Sequence, residues 1–301
     1  MAEEQTIQID NTHLPIVGFG TYLIPSDVAQ RCVSTALNTG YRHIDTAEKY
    51  ANEDGVGAAI KEVIESTQVT RDDIFLTTKV WPGYEQWGET PKSYADTINA
   101  LDESLQRLQT DYVDLYLIHS PLDSEHRLEQ WRALAELQQQ GKTRTIGVSN
   151  FNKAHIEELA DAGLPRPTVN QIELHPWSQK PALIDYLVEH NITPMAYSSL
   201  APLSSWRTAE GQASGKTEAT YNKENAELKS IAAKHGVTEA QVLLRWAIQK
   251  GFAIIPKSVN PERIVSNFAL FEFTLNDEDM AIIANINRDL DLAWGENFFE
   301  F

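Results

Sequence analysis

The 301-residue sequence contains a single cysteine, Cys32, and no apolar run long enough to span a membrane. One thiol excludes an intrachain disulfide framework and is typical of a reducing compartment, so we expect a cytoplasmic location. Without some 18 consecutive apolar residues, no transmembrane helix is expected. The N-terminal stretch MAEEQTIQID is acidic and lacks the apolar core of a secretory signal, so none is expected there.

Basic residues are also scarce. The 25 Lys and Arg residues are outnumbered by 43 Asp and Glu, which gives a net charge of −18 at pH 7. A surface of this charge repels nucleic acids and anionic membranes and favours solubility. The composition therefore predicts neither a nucleic-acid partner nor a membrane partner.

Several catalytic motifs are missing from the sequence. It has no C-x-x-C or H-E-x-x-H motif and no histidines at ligand spacing, so no metal site is predicted. It has no phosphate-binding G-x-x-x-x-G-K-[ST] loop. The segment GVSNF (147–151) departs from the G-x-S-x-G motif of hydrolases.

What the sequence does contain is a repeated alternation of short apolar runs and amphipathic segments. Strands alternating with helices predict a parallel sheet covered by helices, and about eight such units predict a (β/α)8 TIM barrel. No change in composition divides the chain, so we expect one domain over residues 1–301. The predicted barrel strands are 16–19, 42–45, 73–81, 111–119, 143–149, 168–174, 192–198 and 251–256.

Other patterns predict helix starts and additions to the barrel. Thr90–Pro91 predicts the start of one helix, and Thr238 with Gln241 forms a capping-box pattern at the start of another. Residues 6–9 alternate polar and apolar, which predicts a hairpin below the barrel. The range 222–250 holds two extra helical patterns, and residues 200–222 form a long polar loop.

A doubly wound nucleotide-binding domain is the alternative architecture. The segment GFGTYL (18–23) supplies two glycines of the dinucleotide fingerprint. The third glycine is missing and the following helix begins too late, so this interpretation is disfavoured.

Polar side chains recur where the predicted barrel strands end. The active site of such a barrel lies at the carboxyl ends of its strands. We therefore expect one rim to carry Asp45, Tyr50, Lys79, His119, Ser149, Asn150, Gln171, Tyr197, Ser198, Lys257 and Ser258.

Each of these residues also has an ordinary structural explanation. Asp45 suits a helix cap, Lys79 a solvated strand end, Tyr50 a core edge and His119 a hydrogen-bonded core histidine. Asp45 and Glu48 are also candidates for a glycosidase carboxylate pair. A Tyr–Lys–His set is better suited to donating a proton to a carbonyl, and separate structural roles do not explain why the groups share one rim.

Six segments together resemble the aldo-keto reductases. They are GYRHIDTAEKYANEDGVGAAI, TTKVW, DLYLIHSP, IGVSNF, NQIELHP and IPKSVNPERIVSN. The likeness runs from GFGT (18–21) to Asn267, in family order and spacing. Within the family, the chain most resembles microbial members similar to 2,5-diketo-gluconate reductase and to prostaglandin F synthase.

This resemblance implies a (β/α)8 barrel that reduces aldehydes and ketones with NADPH and without a metal. It implies four catalytic residues: Asp45, Tyr50, Lys79 and His119. Tyr50 would donate the proton, and a charged Lys79 beside it would lower its pKa from about 10. Asp45 would hold Lys79 charged and in place, and His119 would orient the carbonyl.

The resemblance also implies a binding site for NADPH or NADP+. Lys257, Ser258 and Arg263 would hold the 2′-phosphate, although Arg263 also suits an ordinary exposed helix position. The full implied set is Thr21, Ser149, Asn150, Gln171, Tyr197, Ser198, Leu200, Lys257, Ser258, Arg263 and Asn267. A small-molecule carbonyl substrate and a monomer or weak homodimer are expected.

Substrate contacts are expected from Tyr22, Trp81 and His119, with Trp206 and Trp294 as weaker candidates. Many family members have Trp where this chain has Ser120, which predicts a wider and more polar pocket. Ser199, Ala201 and Ser266 also depart from the family pattern. The alternative function is a non-catalytic NADPH-binding regulatory or structural relative.

Overall fold

The computed structural model describes residues 6–204 and 226–294. Most of the predicted 200–222 loop, together with Trp206, lies outside these residues. The strands are β1 (Thr6–Ile9), β2 (Thr12–Pro15), β3 (Gly18–Gly20), β4 (His43–Asp45), β5 (Phe75–Val80), β6 (Val113–Ile118), β7 (Thr143–Ser149), β8 (Val169–Glu173), β9 (Thr193–Tyr197) and β10 (Ala253–Ile254).

Ten α-helices lie in the described residues. They are α1 (Ser26–Thr39), α2 (Glu53–Ser66), α3 (Tyr94–Leu108), α4 (Arg127–Gln139), α5 (Lys153–Asp161), α6 (Pro181–Glu189), α7 (Ala226–His235), α8 (Glu239–Gln249), α9 (Pro261–Phe268) and α10 (Asp277–Asn285).

The eight strands β3 to β10 form one sheet in sequence order, with every neighbouring pair parallel. The sheet closes because Val17 forms a parallel bridge with Ile254, and Gly20 N–H donates to the Pro256 carbonyl at 3.1 Å. The predicted (β/α)8 barrel is confirmed. The predicted hairpin is confirmed as well, since β1 pairs antiparallel with β2.

The burial pattern explains this architecture. Every residue of β5 and β6 is buried, as expected for strands covered on both faces. The helices bury one face each. On α2, the predicted positions Val56, Ile60 and Val63 are buried, and the helix packs against α1 and α3.

One predicted helix boundary was wrong. Helix α3 begins at Tyr94 and not at Thr90–Pro91, because Ser93 accepts the Asp96 N–H and the Asp96 side chain accepts the Ser93 N–H. The predicted cap at Thr238 is confirmed. Asp45 caps no helix, since the residue preceding α2 is Asn52.

The two extra helical patterns predicted in 222–250 correspond to α7 and α8, which lie between β9 and β10. Helix α10 follows α9 as a further addition. None of the helices in 6–204 and 226–294 combines the length and apolar character that crossing a membrane requires.

Candidate active site

Four elements bring the predicted catalytic residues together. Asp45 is the last residue of β4, Lys79 lies near the end of β5, and His119 directly follows β6. Tyr50 ends a short 3-10 helix, Glu48–Tyr50, in the connection after β4. Because adjacent parallel strands end at the same rim, residues 34 and 69 positions apart become neighbours.

Lys79 and Asp45 form a buried ion pair. The Lys79 Nζ lies 2.6 Å from Asp45 Oδ1, and both side chains are almost completely shielded from solvent. Nζ also donates to the Thr46 carbonyl at 2.8 Å and to Tyr50 Oη at 3.4 Å. The second Asp45 oxygen accepts the Gln171 amide N–H at 2.7 Å.

The Tyr50 hydroxyl lies between Lys79 and His119. Its Oη is 3.5 Å from His119 Nε2, and the two rings meet edge to face. An ammonium can only donate, so Tyr50 Oη must accept from Lys79. The phenolic proton is therefore directed away from Lys79, toward the cavity.

Burial dominates the protonation of these groups. It raises the pKa of Tyr50 well above 10, and the Asp45 carboxylate adds to that shift. The sequence-based expectation that Lys79 lowers the pKa of Tyr50 was therefore wrong for this arrangement, because desolvation of a phenolate outweighs the nearby ammonium. Tyr50 is a neutral phenol in this state.

Burial also lowers the pKa of His119 well below 6.5, and the charges of Lys79 and Lys49 lower it further. The imidazole is therefore neutral near pH 7. In the buried ion pair, burial raises the pKa of Asp45 and lowers that of Lys79, while the contact between them opposes both shifts.

A cavity of about 300 Å³ opens above these residues. Seven of the predicted cofactor residues line it together with Asp45, Tyr50, His119 and Tyr22. These seven are Ser149, Asn150, Gln171, Tyr197, Ser198, Leu200 and Lys257. Leu23, Ile255 and Pro256 also line the cavity and were not predicted, because apolar residues in loops carry no distinctive pattern.

The polar residues of the cavity floor form a connected network. Ser149 Oγ donates to the Gln171 carbonyl, and the Asn150 amide donates to the His119 carbonyl and to Ser149 Oγ. Tyr197 Oη donates to Asn150 Oδ1 at 2.7 Å. This network presents amide and hydroxyl groups beside Tyr50 and His119, the groups that a nicotinamide carboxamide would require.

Two cations lie past the end of the barrel at β10. Lys257 and Arg263 are exposed and form no ion pair with any carboxylate in the described ranges, although acidic residues predominate in the chain. Arg263 lies in the first turn of α9, which Asn260 caps. Unpaired cations beside a helix N-terminus suit a phosphate group.

The remaining predicted cofactor residues surround this region. Ser258 precedes α9 and Asn267 lies within it; both are buried, and neither lines the cavity. The Thr21 hydroxyl donates to the Asp45 carbonyl at 3.0 Å, so in this structure it supports the end of β4.

The predicted substrate wall is mainly aromatic. Tyr22 and Trp294 line the cavity, while Trp81 packs edge-on against His119 with ring centroids 5.4 Å apart. Trp87, which was not predicted, stacks between Trp81 and Trp294. Ser120 is buried and does not line the cavity. The wider pocket expected from Ser120 stays a prediction.

Residues outside the predicted set fix the aromatic wall. The Glu48 carboxylate accepts the Trp81 backbone N–H and pairs with Lys92, while Glu89 accepts the Trp81 indole N–H. Such contacts connect two loops and leave no local pattern in the sequence.

Among the residues that the structure describes, no group of three His, Cys, Asp or Glu side chains could hold a metal ion.

The carboxyl rim of this closed parallel barrel carries a buried Lys–Asp ion pair, a neutral tyrosine and a neutral histidine. A site of this class is suited to polarising and protonating a carbonyl. The comparisons with known proteins specify the class further. The model of the Aldo/keto reductase family matches residues 17–288, and the chain belongs to that family.

Individual relatives cover nearly the whole chain. It is 40% identical over 293 residues to an aldo-keto reductase of Mycolicibacterium smegmatis, covering 97% of this chain and 96% of the relative. It is 39% identical to the NAD(P)H-dependent D-xylose reductase of Scheffersomyces stipitis, covering 92% of each. The structure of a Bombyx mori aldo-keto reductase in complex with NADP superposes with a TM-score of 0.85 at 34% identity, covering 97% and 95%.

Proposed function

We propose that this protein is an NADPH-dependent reductase that converts aldehyde or ketone carbonyls to alcohols, with Asp45, Tyr50, Lys79 and His119 as its catalytic residues. The observation that carries the proposal is the convergence of Tyr50 Oη and His119 Nε2, 3.5 Å apart, on the cavity. Two donors at that separation suit a single carbonyl oxygen.

The surrounding residues fit the cofactor. Ser149, Asn150 and Gln171 would bind the nicotinamide carboxamide, and Tyr197 would stack on the ring. Ser198 and Leu200 would contact the pyrophosphate, and Thr21 would lie beside the nicotinamide end. The cofactor, when bound, supplies the hydride for the carbonyl carbon.

At the other end of the cofactor site, Lys257, Ser258 and Arg263 would hold the 2′-phosphate, and Asn267 would contact the adenine. Arginine can bind a phosphate with two parallel hydrogen bonds, while lysine adds a point charge. The NADP complex of the Bombyx mori relative supports this assignment of the cofactor.

The protein supplies the proton and the electrostatics. Negative charge develops on the carbonyl oxygen as its carbon is reduced, and Tyr50 transfers its proton to that oxygen. The raised pKa of Tyr50 keeps the phenol protonated before the reaction. Lys79, held by Asp45 and the Thr46 carbonyl, then stabilises the phenolate that remains.

His119 acts as a neutral donor. Its lowered pKa keeps it uncharged, so in the Nε2–H tautomer it donates to the carbonyl oxygen without releasing its proton. The Trp81 ring at its edge restricts the orientation of the imidazole.

A small-molecule carbonyl substrate would contact Tyr22 and His119, which line the cavity, and Trp81, which packs against His119. We further propose one domain over 1–301 and a monomer or weak homodimer in the cytoplasm. The narrower likeness to 2,5-diketo-gluconate reductase and prostaglandin F synthase stays a prediction. Relatives named for their activities include a xylose reductase and the glyoxal reductase of Bacillus subtilis.

The experiment is NADPH consumption against a panel of aldehydes, ketones and keto acids, with wild type and Tyr50→Phe. The variant should lose about 10²–10⁴-fold in kcat because it lacks the transferable proton, while its Kd for NADPH stays unchanged. Tyr94→Phe is the matched control, since that hydroxyl donates to Glu136 on the outer surface.

Full turnover by Tyr50→Phe would contradict the proton-donor assignment. Tight NADPH binding by the wild type without turnover of any carbonyl would favour the alternative, a non-catalytic NADPH-binding regulatory or structural relative.

A further inference from the structure

Glu173 is a buried carboxylate that the proposed reaction does not use. It is the last residue of β8, two positions after Gln171, and only 1% of its surface is exposed. It belongs to the NQIELHP segment, of which the proposed function uses only Gln171. A buried carboxylate is costly unless several donors satisfy it.

Most of its donors come from the other end of the chain. Glu173 Oε1 accepts the Leu292 backbone N–H at 2.6 Å, and Oε2 accepts the Ala293 N–H at 2.9 Å. His175 Nε2 lies 2.8 Å from Oε1. Backbone N–H groups bound to a carboxylate form charge-assisted hydrogen bonds, which are about twice as strong as neutral ones.

A second set of contacts joins the same two regions. Ser178 Oγ donates to Asp291 Oδ1 at 2.6 Å, and Lys180 forms an ion pair with Asp291. The Trp177 carbonyl accepts the backbone N–H groups of residues 288 and 290. The loop after β8 therefore holds residues 288–293 at several successive points.

The segment held in this way forms part of the cavity wall. Ala293 and Trp294 line the cavity. The Trp294 ring is nearly parallel to Trp87, with centroids 6.4 Å apart, and Trp87 is nearly parallel to Trp81 at 5.9 Å. Trp81 in turn contacts His119. We call Trp81, Trp87 and Trp294 the tryptophan wall; of the three, Trp294 lines the cavity, and the other two pack behind it toward His119.

We propose that Glu173 is a positioning residue that fixes segment 291–294 and thereby sets the tryptophan wall for substrates bearing a flat apolar ring. This inference rests on the proposed carbonyl reductase function. A ring on the substrate gains from stacking on the wall, whereas a short aliphatic aldehyde binds at Tyr50 and His119 without reaching it.

The test compares wild type with Glu173→Gln, using 4-nitrobenzaldehyde and propanal as substrates. The amide keeps the shape but places an NH₂ group toward backbone donors, which loosens the segment. We expect KM for 4-nitrobenzaldehyde to rise about tenfold, with kcat, KM for propanal and Kd for NADPH each within twofold of wild type. An equal loss for both substrates, or no change for either, would overturn the proposal.

Trp294→Ala supplies the double-mutant cycle. If Glu173 acts through the wall, Glu173→Gln should add less than twofold to KM for 4-nitrobenzaldehyde in the Trp294→Ala background. A full tenfold further increase would overturn the proposal, because Glu173 would then act by another route. Asp291→Asn removes the ion pair with Lys180 that also holds this segment. If Glu173→Gln does not fold, Asp291→Asn is used in its place.

A readout that does not depend on activity separates this inference from the proposed function. Hydrogen exchange at the amides of Leu292 and Ala293 should be at least tenfold faster in Glu173→Gln than in wild type, with exchange in β5 unchanged. If the wild type reduces no carbonyl, the proposed function fails, and this measurement still decides whether Glu173 holds the segment. Unchanged exchange would refute the positioning role.

Discussion

Lys79 has three N–H bonds and three acceptors: Asp45, the Thr46 carbonyl and Tyr50. At the scale of the residue, the Lys79 ammonium pairs with Asp45 and also determines the direction in which the Tyr50 hydroxyl proton points. The sequence could predict Asp45 and Lys79 because both carry charge at strand ends. It could not predict the Thr46 carbonyl, since every residue offers one.

The pKa of Tyr50 shows a second limit of sequence-based reasoning. A lysine near a phenol predicts a lowered pKa, but the sign of the net shift depends on burial. Burial arises from packing by Tyr22, His119 and the cavity wall, and the sequence contains no measure of it. The proximity of Tyr50, Lys79 and His119 was therefore predictable, but their protonation required the structure.

The unpaired cations at the β10 end give a prediction at the residue scale. In Lys257→Ala, and likewise in Arg263→Ala, Kd for NADPH should rise at least tenfold, while Kd for NADH changes less than twofold, because only NADPH carries the 2′-phosphate. Fluorescence titration with both cofactors measures this difference. Lys229→Ala, which removes an exposed lysine on α7, is the charge-matched control.

Equal weakening of NADPH and NADH binding in those variants would contradict contact with the 2′-phosphate. A similar loss in Lys229→Ala would attribute the effect to net charge and not to a local site.

At the scale of the element, the amphipathic patterns predicted most helices, because burial of one face repeats at helical spacing. The start of α3 was mispredicted because Ser93, and not Thr90, caps the helix. The Ser93–Asp96 box satisfies backbone donors reciprocally, whereas Thr90–Pro91 precedes it as irregular chain. Close contacts between helices were not visible in the sequence at all.

Gly57 gives a prediction at this scale. Within α2, a Cβ at this position would lie 2.6 Å from the backbone carbon and oxygen of Leu108 at the end of α3. In an open helix, replacing Gly by Ala stabilises the fold by about 0.5–1 kcal/mol. Here the added methyl group overpacks the helix contact, so the substitution should destabilise the fold. We expect Gly57→Ala to lower the free energy of unfolding by about 1–3 kcal/mol.

Urea denaturation followed by circular dichroism measures this change. Lys61→Ala, at an exposed position one turn later on α2, should remain within about 0.5 kcal/mol of wild type. A stabilised Gly57→Ala variant would show that α2 and α3 are not in close contact.

At the scale of the whole molecule, the order of strands and helices was sufficient to predict the barrel. Parallel strands with right-handed helical crossovers leave few alternative topologies. The sequence did not reveal how the chain's late residues are used: Leu292 and Ala293 donate to a carboxylate about 120 positions earlier. Contacts between residues so far apart in the chain leave no periodic pattern in the sequence.

The net charge of −18 gives the last prediction, which belongs to the entire surface. Repulsion among excess carboxylates opposes the compact state, and dissolved salt screens it. Raising KCl from about 0.01 M to about 0.5 M at pH 7 should therefore stabilise the fold by on the order of 1 kcal/mol, or about 2 °C in Tm. Differential scanning calorimetry at both concentrations measures the shift.

The same comparison at pH 5, near the isoelectric point of about 4.8, is the internal control, because little net charge remains to be screened. An equal rise in Tm at both pH values would mean that salt acts through the hydrophobic effect and not through the acidic surface.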